Sequence, residues 1–240
     1  MLLLAGALVA LTCAHLLWLR PRLLRWGATS EEARRRLPGD EEVPNAQIHG
    51  TRAVTIDAAP EDVWPWIVQI GYRRAGWYAF DFADNSGIPS AKRIIPELQH
   101  PEIGQVIGDE GYTVSRIEPP HLLLLALHHR RVEWVRKEGL WPRFGNSTWA
   151  FILEPIDAGR GTRLLARLHY YLPPGIHLVY WPLFEVVDYI LEPMMLRYIK
   201  RRAEASGRGR ADRSRSGSRS GSGGRTRTYD QAVNSRPLYH

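Results

Sequence analysis

TRAVTIDAAPEDVWPWIVQIG, Thr51–Gly71, joins one strand to one helix and sets the reading of everything after it. Arg52, Val54 and Ile56 alternate along Thr51–Ile56 and share one face of a strand. Asp57–Asp62 then starts a helix, with Pro60 in its first turn and Glu61 and Asp62 at the positive dipole end. Val63, Trp66, Ile67 and Ile70 recur at helical spacing, and Gly71 closes the helix. Gly76–Pro101 is rich in loop residues and aromatics. Strand-like runs follow at Tyr112–Glu118, Leu122–His128, Val132–Val135, Thr148–Glu154 and Thr162–Tyr170, with turns at Pro119-Pro120 and Asp157–Gly161. In the last run Leu164, Ala166 and Leu168 alternate with Arg163, Arg167 and His169, which predicts a sheet with one covered and one wet face. A final helix over about Leu183–Ala203 places Leu183, Val187, Ile190, Met194 and Tyr198 in one apolar stripe, with a kink expected at Pro193. The fold class is α+β.

One strand, one helix, a run of antiparallel strands and a long closing helix is the element order of the helix-grip fold. Thr51–Gly71 resembles the opening strand and helix of the SRPBCC (START-like, polyketide-cyclase-like) superfamily. Gly76–Asn85 (GWYAFDFADN), Ala91–Gln99 (AKRIIPELQ), Thr148–Pro155 (TWAFILEP) and Glu192–Glu204 (EPMMLRYIKRRAE) look like a bacterial, membrane-anchored subfamily of it. The resemblance implies a curved antiparallel sheet wrapped on the C-terminal helix, with a cavity between them. Members range from lipid carriers to aromatase/cyclases, so it carries over no catalytic residue.

The flanks differ from this core. Met1–Leu19 carries no charged side chain and, as a helix, spans about 28 Å, close to the roughly 30 Å hydrocarbon core of a bilayer. Arg20, Arg22 and Arg25 follow at once, with Trp18 and Trp26 at interfacial depth. A secretory signal would place its basic residues before the apolar run, so residues 1–19 are expected to be an uncleaved, single-pass transmembrane anchor in the cell membrane. The arginines on its C-terminal side put the domain in the cytoplasm. Residues 20–44 are expected to be a polar linker, residues 45–204 the domain, and residues 205–240 a disordered tail rich in Arg, Ser and Gly.

The chain of 240 residues has a formal net charge of +7. Residues 1–200 hold 22 basic and 22 acidic side chains, while residues 201–240 hold 10 and 3, so the tail supplies the whole excess. A neutral body argues against a nucleic-acid partner. The tail itself has a further reading. Codons can be chosen for Arg225–His240 whose complement spells the D-arm, anticodon stem-loop and T-arm of an asparagine tRNA, in that order. The end of the reading frame is then expected to run antisense through a tRNA gene. Sequencing the coding DNA checks this directly, and codons that do not spell that complement dismiss it.

Chemistry is sparse. The single cysteine, Cys13, excludes an internal disulfide and a Cys-ligated zinc. No phosphate-binding glycine loop, serine nucleophile elbow or HExxH is present. His128 and His129 are neighbours on a strand and point to opposite faces, so no metal is expected, and no cofactor. Asp81, Asp84, Asn85 and Arg93 sit in the aromatic loop region, where they either orient a ligand's polar head or simply pair and cap the loop. Trp66, Tyr78 and Trp149 belong to an aromatic load that serves a core and a ligand cavity equally well. Trp66, Tyr78, Asp81, Asn85, Arg93 and Trp149 are therefore the cavity candidates, with no catalytic residue among them. The expected function is a membrane-anchored binding protein or carrier for a hydrophobic or amphipathic, lipid-like small molecule. The alternative is a cyclase/aromatase or hydrolase acting on such a molecule in the same cavity. No acid/base pair announces itself, which favours the binder. The sequence does not decide the oligomeric state.

Overall fold

The computed structural model describes residues 2–108, 111–127, 146–171 and 180–220. The expected strand Val132–Val135, the histidines His128, His129 and His177, and the segment Arg225–His240 lie outside them. The chain divides into two units, Met1–Gly207 and Arg208–His240, and the site belongs to the first.

The apolar N-terminus opens as α1 (Leu2–Ala14), widens into a π turn (His15–Leu19) and continues as α2 (Arg20–Leu23). The single helix expected over Met1–Leu19 is thus divided where i→i+5 bonding replaces the α pattern. Among the described residues no helix is both long and apolar enough to cross a membrane.

A six-stranded antiparallel sheet carries the fold. Its strands are β1 (Ile48–Ile56), β2 (Val106–Ile107), β3 (Tyr112–Glu118), β4 (Leu122–Leu127), β5 (Ser147–Ile156) and β6 (Gly161–Tyr170), in the spatial order β1-β6-β5-β4-β3-β2. Between α2 and β1 lies α3 (Ser30–Arg34). After β1 come α4 (Pro60–Val68) and the short α5 (Asp81–Asp84), and the chain closes with α6 (Tyr180–Ser220). The inner face of the sheet buries Leu123, Leu125, Phe151, Leu153, Leu164 and Ala166 against Val63 and Ile67 of α4 and Leu196 and Ile199 of α6.

The outer face is not wet. Leu37 packs on a second cluster of Ala53, Leu122, Leu124, Ala150, Ile152 and Leu165. This explains why β4, LLLLAL, is buried at every position and shows no alternation. Arg167 and His169, expected on the solvent side, are buried there as well. The cover is the stretch expected to be a linker. The Arg167 guanidinium holds Asp40 with two bonds, Nε to Oδ1 at 3.1 Å and Nη2 to Oδ2 at 2.9 Å. Arg163 grips Glu32 in the same way, both bonds at 2.8 Å. Glu32 also completes a capping box with Thr29 at the start of α3.

The same stretch closes the β1 edge of the sheet. The Leu24 carbonyl accepts the Thr51 N–H at 2.8 Å, and the Trp26 carbonyl accepts the Ala53 N–H at 3.0 Å. The approach is so close that a Cβ on Gly27 would lie 2.1 Å from the Ala53 oxygen, at a φ of +72° that also favours glycine. Residues 20–44 are therefore a strap, and the charge pattern concealed it because its acids pair with sheet arginines rather than with water.

Two corrections concern α6. It runs on to Ser220, so part of the expected disordered tail is helical; extending a formed helix adds one hydrogen bond per residue and needs no new nucleus. Its buried side is Tyr189, Glu192, Met195, Leu196, Ile199 and Ala203, not the expected stripe. Ile190 is 57% exposed and Tyr198 37% exposed, while Leu183 and Val187 lie outside the described side chains. A pattern of apolar residues alone misplaced the face because a carboxylate, Glu192, sits at its centre.

Candidate functional site

Strand alternation sends Arg52 of β1 inward beside Val54 and Ile56, and its side chain is 0% exposed. A fully buried guanidinium needs anionic partners. Asp188 and Glu192, one helical turn apart on α6, supply them. Asp188 Oδ2 lies 2.6 Å from Arg52 Nη2, Glu192 Oε2 contacts Nη1, and Arg52 Nε donates to the Leu23 carbonyl at 3.3 Å. The Tyr189 ring is centred 5.8 Å from the guanidinium carbon. Glu192 Oε1 then accepts the indole N–H of Trp149, from β5, at 2.7 Å. This ionic knot ties β1, β5, α6 and the end of α2 together inside the grip.

An aromatic wall runs on from Trp149. Its ring stacks on Trp77 at 5.4 Å between centroids and meets Phe151 at 4.9 Å and Tyr112 at 6.1 Å. The Tyr112 hydroxyl is satisfied by Ser147 Oγ at 2.8 Å. The indole nitrogens of Trp77 and Trp66 are buried and have no hydrogen-bond partner among the described residues. Each such donor costs on the order of 1–3 kcal/mol unless an acceptor meets it.

Trp66 and Tyr78 form a second group, with ring centroids 6.1 Å apart. Arg202 of α6 lies over Tyr78 at 4.6 Å and over Trp66 at 6.0 Å. Gln69 organises the floor: its Nε2 donates to the Tyr78 hydroxyl at 2.6 Å and to the Arg93 carbonyl at 3.2 Å, and its Oε1 accepts the Ile95 N–H at 2.9 Å. Burial pushes the Tyr78 phenol up to about 12, so it stays protonated in any physiological buffer.

Asp81 and Asn85 hold the loop together. The Asp81 carboxylate accepts the Ser90 N–H at 3.0 Å and the Ser90 hydroxyl. Asn85 accepts the Arg73 N–H at 3.0 Å and donates to the Ile88 carbonyl at 2.7 Å. The Arg93 side chain is exposed, and only its carbonyl enters the network. Five of the six sequence candidates thus form three groups rather than one site: Trp66 with Tyr78, Asp81 with Asn85, and Trp149 with the ionic knot. The sixth, Arg93, contributes its carbonyl to the Gln69 network. Asp81→Ala is expected to cost about 1–2 kcal/mol, read as a lower urea midpoint, with ligand affinity unchanged.

Arg52, Asp188 and Glu192 were absent from the sequence candidates. The signal for Arg52 was present, since it shares a strand face with Val54 and Ile56. A charge on an otherwise apolar face implies a buried partner. Its partners lie 136 and 140 residues further on, and no local pattern connects them.

With the C-terminal helix laid across the inner face of an antiparallel sheet, the architecture is settled. The fold is the helix grip. No protein-family model and no curated protein matches the chain. Solved structures that align with it include DynU16, a protein of the dynemicin biosynthetic locus, at 13% identity and a TM-score of 0.35, over 63% of this chain and 46% of that one. A conserved protein from Geobacillus kaustophilus aligns at 16% identity and a TM-score of 0.36, over 66% of this chain and 97% of that one. The di-domain ARO/CYC StfQ of the steffimycin biosynthetic pathway aligns at 12% identity and a TM-score of 0.35, over 72% and 55% respectively. This chain spans about half the length of DynU16 and of StfQ.

Proposed function

We propose that this helix-grip chain binds or carries a hydrophobic or amphipathic small molecule between the inner face of the sheet and α6, while its N-terminus holds it at the cell membrane. The observation that supports the ligand is the buried indole N–H of Trp77 in the aromatic wall, which has no acceptor among the described residues. An apolar body with one acceptor atom satisfies both the wall and the Trp77 donor. The ionic knot speaks for binding rather than catalysis: Arg52 engages both carboxylates, so neither is left free to move a proton.

The membrane placement draws on Leu11, Leu16, Leu17, Trp18 and Leu19, all between 48% and 78% exposed and followed by Arg20, Arg22 and Arg25. A run of this kind is stable where lipid replaces water. The domain is then cytoplasmic, on a single-pass anchor. Carbonate extraction followed by protease treatment of intact cells tests this. Release into the soluble fraction, or cleavage of the domain from outside, overturns it.

For the ligand, the full chain purified in mild detergent should release an amphiphile on solvent extraction, identified by mass spectrometry. It should also bind a fluorescent fatty acid at micromolar or weaker affinity. Trp149→Ala is expected to weaken that affinity at least about tenfold, because it removes the wall and frees Glu192 together. Failure to extract any amphiphile, together with no saturable binding of the probe, would falsify the reading.

A further inference from the structure

The loop over residues 80–88 presents Phe80 at 55% exposure, Phe82 at 80% and Ile88 at 46%, and the two phenylalanine rings are 6.3 Å apart. Looseness does not explain this, because the loop is pinned along its length. Asp81 holds Ser90, and Asp84 Oδ2 accepts the Phe80 N–H at 3.1 Å. Asn85 bridges to Arg73 and Ile88, and the Tyr72 hydroxyl meets Ser86 Oγ at 2.7 Å. The fold therefore builds a firm loop whose large apolar side chains face water, the mark of a surface meant to be covered.

The charges say by what. Both acids of the loop are half-buried and turned to its own backbone. The exposed ionisable side chains between residues 72 and 95 are Arg73, Lys92 and Arg93, all basic. Arg73 is tied to the loop through Asn85, and Lys92 and Arg93 follow directly from the Ser90 closure. Apolar tips with a basic collar match the boundary of an anionic bilayer, where acyl chains take the rings and headgroups take the cations.

We propose that this loop inserts Phe80, Phe82 and Ile88 into an anionic membrane surface, with Arg73, Lys92 and Arg93 on the headgroups. The contact docks the domain on the bilayer that its N-terminus is proposed to reach. The inference rests on that membrane placement and not on the identity of the ligand.

The test uses the full chain with Cys13→Ala, labelled with the polarity-sensitive fluorophore NBD at Phe82→Cys. The control carries the label at Arg160→Cys, an exposed turn position with an ordinary φ of −82°. Both are mixed with vesicles of phosphatidylcholine and phosphatidylglycerol that contain nitroxide-labelled lipid. The label at position 82 should shift to the blue and be quenched at least about threefold more than at position 160, as expected for insertion at the headgroup–acyl boundary. Joint replacement of Arg73, Lys92 and Arg93 by Glu should abolish the difference. A chain that sediments with the vesicles while position 82 stays as water-accessible as position 160 overturns the loop contact and leaves the anchor standing. A chain that does not sediment overturns both.

Discussion

Arg52→Met should lower the stability of the full chain by about 3–5 kcal/mol, the usual penalty for removing one member of a buried ion cluster. Most of that penalty comes from what remains. Glu192 is 4% exposed, and the mutation leaves its Oε2 and the inner oxygen of Asp188 without their guanidinium. Adding Glu192→Gln to Arg52→Met removes one stranded charge and keeps an acceptor for the Trp149 indole, so it should recover part of the loss. Urea unfolding followed by tryptophan fluorescence measures both variants. If Arg52→Met moved the stability by less than about 1 kcal/mol, within the range of an ordinary hydrogen bond, the knot would not be what holds β1 to α6.

Acid should loosen the outer strap in two stages. Burial, with Arg167 beside it, holds the His169 imidazole down from 6.5 to about 4. The folded protein therefore resists a proton that the unfolded chain accepts. Stability from this group is complete above pH 6.5 and is lost as the pH falls toward 4. Glu32 follows lower down: its hydrogen bonds to Arg163 hold it from 4.5 to about 2, so its contribution is complete above pH 4.5 and drains away toward pH 2. Each stage is worth on the order of 2 kcal/mol. Urea midpoints measured from pH 7.5 down to pH 3 should fall accordingly. His169→Gln should flatten the upper stage alone, and Glu32→Gln the lower. A midpoint independent of pH across the upper stage in the unmodified chain would refute the buried, neutral His169.

Much of the fold was legible because it is written locally. Alternation and turn residues located β1, β3, β5 and β6, and Pro60 with its neighbouring acids located the start of α4. What local patterns missed are the places where a charge is buried by a distant opposite charge. Glu192 pushed the expected face of α6 off its true position, and Asp40 and Glu32 disguised the strap as a linker. The site suffered most from this. Trp66, Tyr78 and Trp149 were found as aromatics, but the ionic knot that orders one of them joins residues far apart in the chain. Asp81 and Asn85 lie in the loop the sequence singled out, and there they shape its backbone.

The edge contacts of Leu24 and Trp26 with β1 leave no slack between the N-terminal helix and the sheet. A tug on the N-terminal helix is delivered within a few residues to the rim of the sheet, and through the Leu23 carbonyl to Arg52. If the N-terminus sits in a bilayer as proposed, tension or a change of thickness that tilts the helix would strain the ionic knot mechanically. A chain cut at Asn45 would lose more than its N-terminal helix: it would bare an unpaired strand edge, along which two copies would zip together.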